Sequence, residues 1–62
     1  MCQQRFIAYE GQTNFYVTEM ELTQYYLVIV DGVLLKEGYF RNHNIVIFLT
    51  GLSEGTEIII MN

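Results

Sequence analysis

The stretch Val28-Ile29-Val30-Asp31-Gly32-Val33 decides the fold class of this chain. Val and Ile favour a pleated strand, and Asp-Gly between two apolar runs is the strongest short-range signal for a β-hairpin. A type I′ turn requires positive φ at both central residues, which Asp tolerates and Gly adopts freely. The stretch therefore predicts two antiparallel strands, at residues 25–30 and 33–35, joined by a tight turn.

Similar apolar segments, separated by glycines, fill the rest of the chain and predict further strands at 5–9, 14–17, 45–49 and 57–61. Residues 39–41 are expected to continue the strand at 33–35 past a bulge at Gly38. Thr18-Glu19-Met20-Glu21 fits a capping box, so residues 22–24 form either one helical turn or a polar loop. The fold class is all-β, a small antiparallel β-sandwich or partly open barrel of six to seven short strands, in one domain over residues 1–62.

Structural turns are predicted at three places, and glycine has a role at each of them. They are Gly11-Gln12-Thr13, Asp31-Gly32 and Gly55. Gly11 can supply the unusual φ that reverses the chain, and the Thr13 hydroxyl can bond to the local backbone.

The apolar segments predict an outward face that needs a cover. A domain of 62 residues, 52% of them hydrophobic, is marginal by itself. A surface strand of a lone sandwich alternates apolar with polar residues, whereas 27–30, 45–49 and 58–61 are apolar throughout. We therefore expect burial against other subunits. The candidate interface residues are Tyr26, Val28, Ile45, Ile47, Ile58, Ile59 and Ile60.

Charge and composition exclude several other classes of function. The net charge is −4 and the three Lys and Arg residues are dispersed, which disfavours nucleic acid, an OB-like binder included, and anionic membrane surfaces. The apolar run 25–35 is too short to span a bilayer. One cysteine, Cys2, and one histidine, His43, cannot complete a structural zinc site, so neither a metal nor a cofactor is predicted.

Nothing in the sequence indicates catalysis. Ser53 is the only serine, no acid–histidine–nucleophile grouping is visible, and no phosphate-binding Gly-Lys-Thr/Ser motif occurs. His43 lies in Asn42-His43-Asn44, which predicts a solvated polar turn. We therefore predict no catalytic residues, and a function in assembly.

Four blocks, taken in order, carry a resemblance to a known family. They are Gly11-Gln12-Thr13-Asn14-Phe15, Val28-Ile29-Val30-Asp31-Gly32-Val33, Asn44-Ile45-Val46-Ile47-Phe48 and Gly55-Thr56-Glu57-Ile58-Ile59-Ile60, with Tyr39 between the second and third. Over about residues 6–61 the chain resembles a small β-domain of tailed-bacteriophage virion proteins, especially tail fibres, tail spikes and head fibres. The resemblance implies an all-β domain that assembles, commonly as a trimer, and either attaches a fibre to the virion or decorates it.

The expected function is thus that of a bacteriophage virion structural protein, a self-associating β-module of a fibre, tail or vertex assembly. The expected partners are the chain itself, with a trimer favoured, and other virion proteins; the expected location is the virion, after synthesis in the host cytoplasm. In fibres this domain is usually one module of a long polypeptide, so bounds of Met1 and Asn62 suit a small accessory virion protein or a truncated piece. Two alternatives stay open: a capsid decoration or cement protein, and a small phage-encoded protein that binds and inhibits a host protein.

Overall fold

Seven antiparallel strands form two sheets in the computed structural model, which describes residues 2–62. The strands are β1 (Gln3–Ile7), β2 (Gln12–Tyr16), β3 (Leu27–Val30), β4 (Val33–Leu35), β5 (Tyr39–Asn42), β6 (Ile45–Leu52) and β7 (Glu57–Met61). The four-stranded sheet has the order β1-β7-β3-β4, and the three-stranded sheet has the order β2-β6-β5. The sheets do not close into a barrel, so the all-β prediction is confirmed in its sandwich form.

The hairpin of β3 and β4 has the predicted turn. Val30 pairs with Val33, and the two residues between them have positive φ, 48° at Asp31 and 82° at Gly32. These values fit a type I′ turn, whose twist matches that of the flanking strands. The Asp31 carboxylate also accepts a hydrogen bond from the backbone N–H of Glu57 at 2.9 Å, which ties the turn to the start of β7.

The core lies between the two sheets and receives side chains from both of them. Phe15 is fully buried, and its ring meets those of Phe6 and Phe48 edge-on, with centroids 5.5 Å away in each case. Burial of a large apolar side chain contributes about 1.5–3 kcal/mol, so this cluster is the main source of stability. The buried residues are Ala8, Phe15, Val17, Val28, Val46, Phe48, Ile58 and Ile60.

The bulge predicted at Gly38 is wrong, because the chain changes sheets there. Residues 39–42 form β5, which pairs with β6 in the three-stranded sheet and not with the strands beside β4. Gly38 has φ of +94°, a value that interrupts an extended strand and turns the chain across the edge of the sandwich. The irregularity in pairing lies elsewhere, between Gln12 and Asn14 of β2 where they face β6.

The bounds of five strands and one local element also differ from the prediction. β1 begins and ends two residues earlier than expected, β2 begins two residues and ends one residue earlier, and β3 begins two residues later. β5 continues to Asn42 and β6 to Leu52, beyond their predicted ends at 41 and 49. The helical turn at 22–24 is absent from the described chain, where residues 17–26 form an irregular loop. The capping-box interpretation fails because the Gln4 side-chain oxygen, 14 residues away, accepts the N–H groups of Thr18 and Glu19 at 3.0 and 3.1 Å.

Candidate assembly interface

The outward surface of the four-stranded sheet, here called the four-strand face, is aliphatic. The cross-strand register places Ile59, Ile29 and Leu34 in one row, with Met61 and Leu27 paired in the next row. Leu27 and Leu34 expose 43% and 48% of their surface. The apolar residues of this face are Ile7, Leu27, Ile29, Leu34, Ile59 and Met61.

The outward surface of the three-stranded sheet, the three-strand face, is apolar as well but carries aromatic rings. Ile47 of β6 lies between Asn14 and Phe40, and Ile45 lies between Tyr16 and Asn42. Tyr16 and Phe40 are 57% and 51% exposed. The apolar residues of this face are Tyr16, Phe40, Ile45, Ile47 and the exposed Leu49.

All charged side chains of residues 2–62 except one ion pair lie away from both faces. The acids at 10, 19, 21, 31, 37 and 54 and the cation at 36 all lie in turns and loops. Arg41 points to the inner side of β5, where its guanidinium lies 5.0 Å from the centre of the Tyr26 ring. Among residues 2–62, the only charged side chains on the faces are those of Arg5 and Glu57, which form an ion pair through Nε and Oε2. Both faces are therefore electrically neutral on a chain of net charge −4.

The predicted interface residues fall into three groups. Ile45 and Ile47 lie on the three-strand face and Ile59 lies on the four-strand face. The prediction is wrong for three residues, Val28, Ile58 and Ile60, which are fully buried in the domain's own core. The reason is strand geometry, because neighbouring side chains in a strand point to opposite faces even where the sequence is apolar throughout.

Tyr26 lies on neither outward face. It is half-buried in the loop before β3, and its ring meets that of Tyr39 with centroids 6.1 Å apart. Burial, together with the electrostatic influence of the neighbouring Tyr26 hydroxyl, raises the pKa of Tyr39 above its ordinary value. The Tyr39 hydroxyl donates to the carbonyl of Leu35 at 3.3 Å, which joins β5 to the end of β4. Tyr26 therefore supports the sandwich edge.

Several outward residues were missed by the sequence analysis, although one signal could have found two of them. The Asp31-Gly32 turn fixes the pairing of Val30 with Val33, and that register places Ile29 beside Leu34 on the same face. Leu27, Ile29, Leu49 and Met61 lie within the predicted apolar segments but were not named as candidates, whereas Ile7, Leu34, Tyr16 and Phe40 lie outside those segments.

Of the predicted turn residues, Gly11, Asp31, Gly32 and Gly55 lie in turns, whereas Gln12 and Thr13 lie in the strand β2. Gly11 and Gly55 have φ of 80° and 86°. The Gln12 side chain accepts from the N–H of Tyr9 at 3.1 Å and donates to the carbonyl of Asn14 at 2.9 Å. The Thr13 hydroxyl donates to the Asn14 side-chain oxygen and not to the backbone as predicted.

Side-chain amides from three parts of the sheet framework hold the long loop 17–26. Asn44 accepts from the N–H of Leu22 at 3.1 Å and donates to the carbonyl of Met20 at 2.8 Å. Asn62 accepts from the N–H of Thr23 at 2.9 Å, while Gln4 holds the start of the loop. Each amide satisfies backbone groups that no strand partner reaches, so the loop has a fixed conformation.

Replacing Asn44 by alanine removes two of these bonds and leaves part-buried backbone groups without partners. We expect the free energy of unfolding to fall by about 1–3 kcal/mol. The amide of Leu22 should also exchange with solvent faster. Gln24→Ala is the control, because Gln24 also carries a side-chain amide, lies exposed in the same loop and makes no side-chain hydrogen bond within residues 2–62. Equal denaturation curves for the two variants would contradict the assigned role of Asn44.

The residues considered for metal or redox chemistry are not brought together. His43 has φ of 54° in the turn between β5 and β6, and Cys2 is exposed with a free thiol. Within residues 2–62 no three His, Cys, Asp or Glu side chains are placed to hold a metal ion, and no cavity is found. Over the same residues, no helix has the length and apolar character to cross a membrane.

Comparison of the chain with protein-family models, with curated proteins and with solved structures finds no match. The two outward faces and their electrostatics are thus the observations on which a functional assignment depends.

Proposed function

We propose that this chain is a self-associating β-module of a bacteriophage virion, acting in a fibre, tail or vertex assembly, and that its role is assembly and not catalysis. The observation that carries the proposal is the pair of neutral, apolar outward faces. The solvated face of an antiparallel sheet usually carries polar residues, and charged residues on a surface oppose association. Among residues 2–62, the only charges on the faces are those of the Arg5–Glu57 ion pair, so two copies can approach face to face with little like-charge repulsion at the contact.

The size of the domain supports the same proposal. A chain of 62 residues divides its apolar side chains between one thin core and two outward faces. Each aliphatic side chain removed from water by a neighbour contributes about 1 kcal/mol or more, and both faces offer several. Association therefore supplies stabilisation that so small a core lacks.

The virion setting rests on the ordered sequence blocks described above, and the faces are compatible with it. The trimer stays a prediction, as do the decoration-protein and host-inhibitor alternatives. An inhibitor would be found on its host target and not in particles, whereas a structural module would be found in purified virions. Mass spectrometry of purified particles distinguishes these two classes.

The direct test is the mass of the purified chain in solution, measured by light scattering at micromolar concentration. We expect a measured mass that is a multiple of the 7.3 kDa chain mass. It should either increase with concentration or stay constant at a fixed number of copies. High salt should not dissociate the assembly, because the contact is apolar and exposed ion pairs contribute little. A mass of 7.3 kDa at every concentration up to the millimolar range would refute self-association.

A further inference from the structure

We propose that copies of this chain stack face to back, the four-strand face of one copy packing on the three-strand face of the next. This inference rests on the proposed self-association and adds its geometry: which surfaces meet and with what symmetry. The occupant of each face is a second copy of the same chain.

Each face has enough area for a contact with another copy. The domain has an accessible surface of 4152 Å², so one side of a roughly box-shaped body offers about a sixth, or about 700 Å². A standard protein–protein contact buries about 600–1,000 Å² on each partner. Both faces meet that requirement, so a copy can hold one neighbour on each of them.

The positions of the faces then determine the symmetry. The core lies between the two sheets, so their outward faces point away from each other. A contact between two different surfaces of the same chain is head-to-tail, and it closes into a ring only if successive copies rotate toward each other. Surfaces on opposite sides of a two-layer domain give little such rotation. The geometry therefore favours a column over the closed trimer that the resemblance implies.

The chemistry of the faces favours unlike pairing over like pairing. The four-strand face carries Arg5, whose Nε is paired with Glu57 and whose side chain is 59% exposed. The three-strand face carries the exposed rings of Tyr16 and Phe40. A guanidinium stacks well on an aromatic ring, and both groups are enriched at protein interfaces. Pairing the four-strand face with itself gives Arg5 no ring.

Side-chain amides also favour the pairing of unlike faces. The Glu57 carboxylate uses Oε2 for Arg5, and the three-strand face offers the amides of Asn14 and Asn42 as hydrogen-bond donors. A neutral donor can satisfy a carboxylate at an interface without introducing a second charge that must be desolvated. The Arg5–Glu57 pair of the four-strand face thus has complements on the three-strand face.

Mixing two variants, each blocked on one face, tests the proposal. Ile59→Lys places a charge at the centre of the four-strand face, and Ile47→Lys does so on the three-strand face. Each variant by itself should associate at least tenfold more weakly than the unmodified chain. An equimolar mixture should form a one-to-one dimer of about twice the 7.3 kDa chain mass, because each variant retains the face that the other lacks. Native mass spectrometry with one variant isotopically labelled identifies the dimer as mixed.

The other outcomes overturn the stacking model in distinguishable ways. Separate homodimers of each variant would show that like faces pair, and a mixture of monomers beside an associating unmodified chain would show that neither pairing is right. Both results leave self-association intact. An unmodified chain that is itself monomeric would remove the proposed function as well.

A second pair of variants keeps the test valid if lysine at a central position unfolds the domain. Leu34→Lys and Leu49→Lys change more exposed residues, 48% and 68% accessible, on the four-strand and three-strand faces respectively. Gln24→Lys, in the exposed part of the loop, adds the same charge away from both faces and should leave the mass of the unmodified assembly unchanged.

Discussion

Alanine at position 51 should strongly destabilise the protein, although it adds only one methyl group. A Cβ atom at Gly51 would lie 2.8 Å from the carbonyl oxygen of Gly11 and 2.9 Å from its Cα. These are backbone atoms, so no side-chain rotation relieves the overlap and one of two chain segments must move. The adjacent hydrogen bond, from Gly11 N–H to the Leu52 carbonyl at 2.7 Å, holds the segments together and would be stretched.

The expected loss is about 3 kcal/mol, the upper part of the range for inserted methyl groups. A domain of 62 residues has about 3–9 kcal/mol in total, so the melting temperature should fall by more than 10 °C, at about 4–8 °C per kcal/mol. Thermal and urea denaturation followed by circular dichroism measure the change. A melting temperature within about 2 °C of the unmodified protein would show that the two segments separate easily.

Gly55 provides the matched control, because a side chain there is limited by the backbone conformation and not by neighbouring atoms. A Cβ there would meet no atom within 4 Å, but φ is +86°. Gly55→Ala should therefore cost about 1–2 kcal/mol through backbone strain alone, and Gly55→Asn less, since Asn tolerates this conformation. At Gly51 the order reverses: Asn, the larger residue, should be at least as damaging as Ala.

Local signals in the sequence predicted the strands and turns well, because those features depend on neighbouring residues. The Asp31-Gly32 hairpin formed as expected, since both residues accept the positive φ that the turn requires. The strand β7 matched its predicted bounds for a similar reason: Glu57 and Met61 enclose a run of β-branched residues that follows a glycine turn.

The allocation of side chains to inner and outer faces could not be predicted for the continuously apolar strands. In Ile58-Ile59-Ile60 the identity of each residue is the same, and only the register with neighbouring strands determines that Ile59 faces outward. The side chains of Ile58 and Ile60 point inward, where they pack in one core with Phe15 and Val28, which are distant in sequence. Hydrophobicity alone therefore indicated that an outward apolar face exists but not which residues form it.

Contacts between distant segments could not be predicted from the sequence, for the same reason. The change of sheet at Gly38, the close approach of Gly51 to Gly11, and the amides that hold the loop 17–26 each join residues that no local pattern connects. Asn44 illustrates this, because its side chain reaches a carbonyl 24 residues earlier in the chain. Such contacts depend on the topology of the sandwich, so they can be described only when that topology is known.

Phenylalanine occurs on both sides of the three-stranded sheet, and replacing each copy by alanine should separate stability from assembly. Phe15 is fully buried between Phe6 and Phe48, so Phe15→Ala should cost about 3–5 kcal/mol and leave the domain largely unfolded. Phe40 is 51% exposed on the opposite side of the sheet, so Phe40→Ala should change monomer stability by about 1 kcal/mol or less. Its effect should instead be a weaker association at micromolar concentration, because the ring that Arg5 of a neighbour would contact is lost.

Urea denaturation at low concentration and light scattering at high concentration measure the two effects separately. If Phe40→Ala left the mass of the assembly unchanged, the three-strand face would not be a contact surface, whatever the result at Phe15.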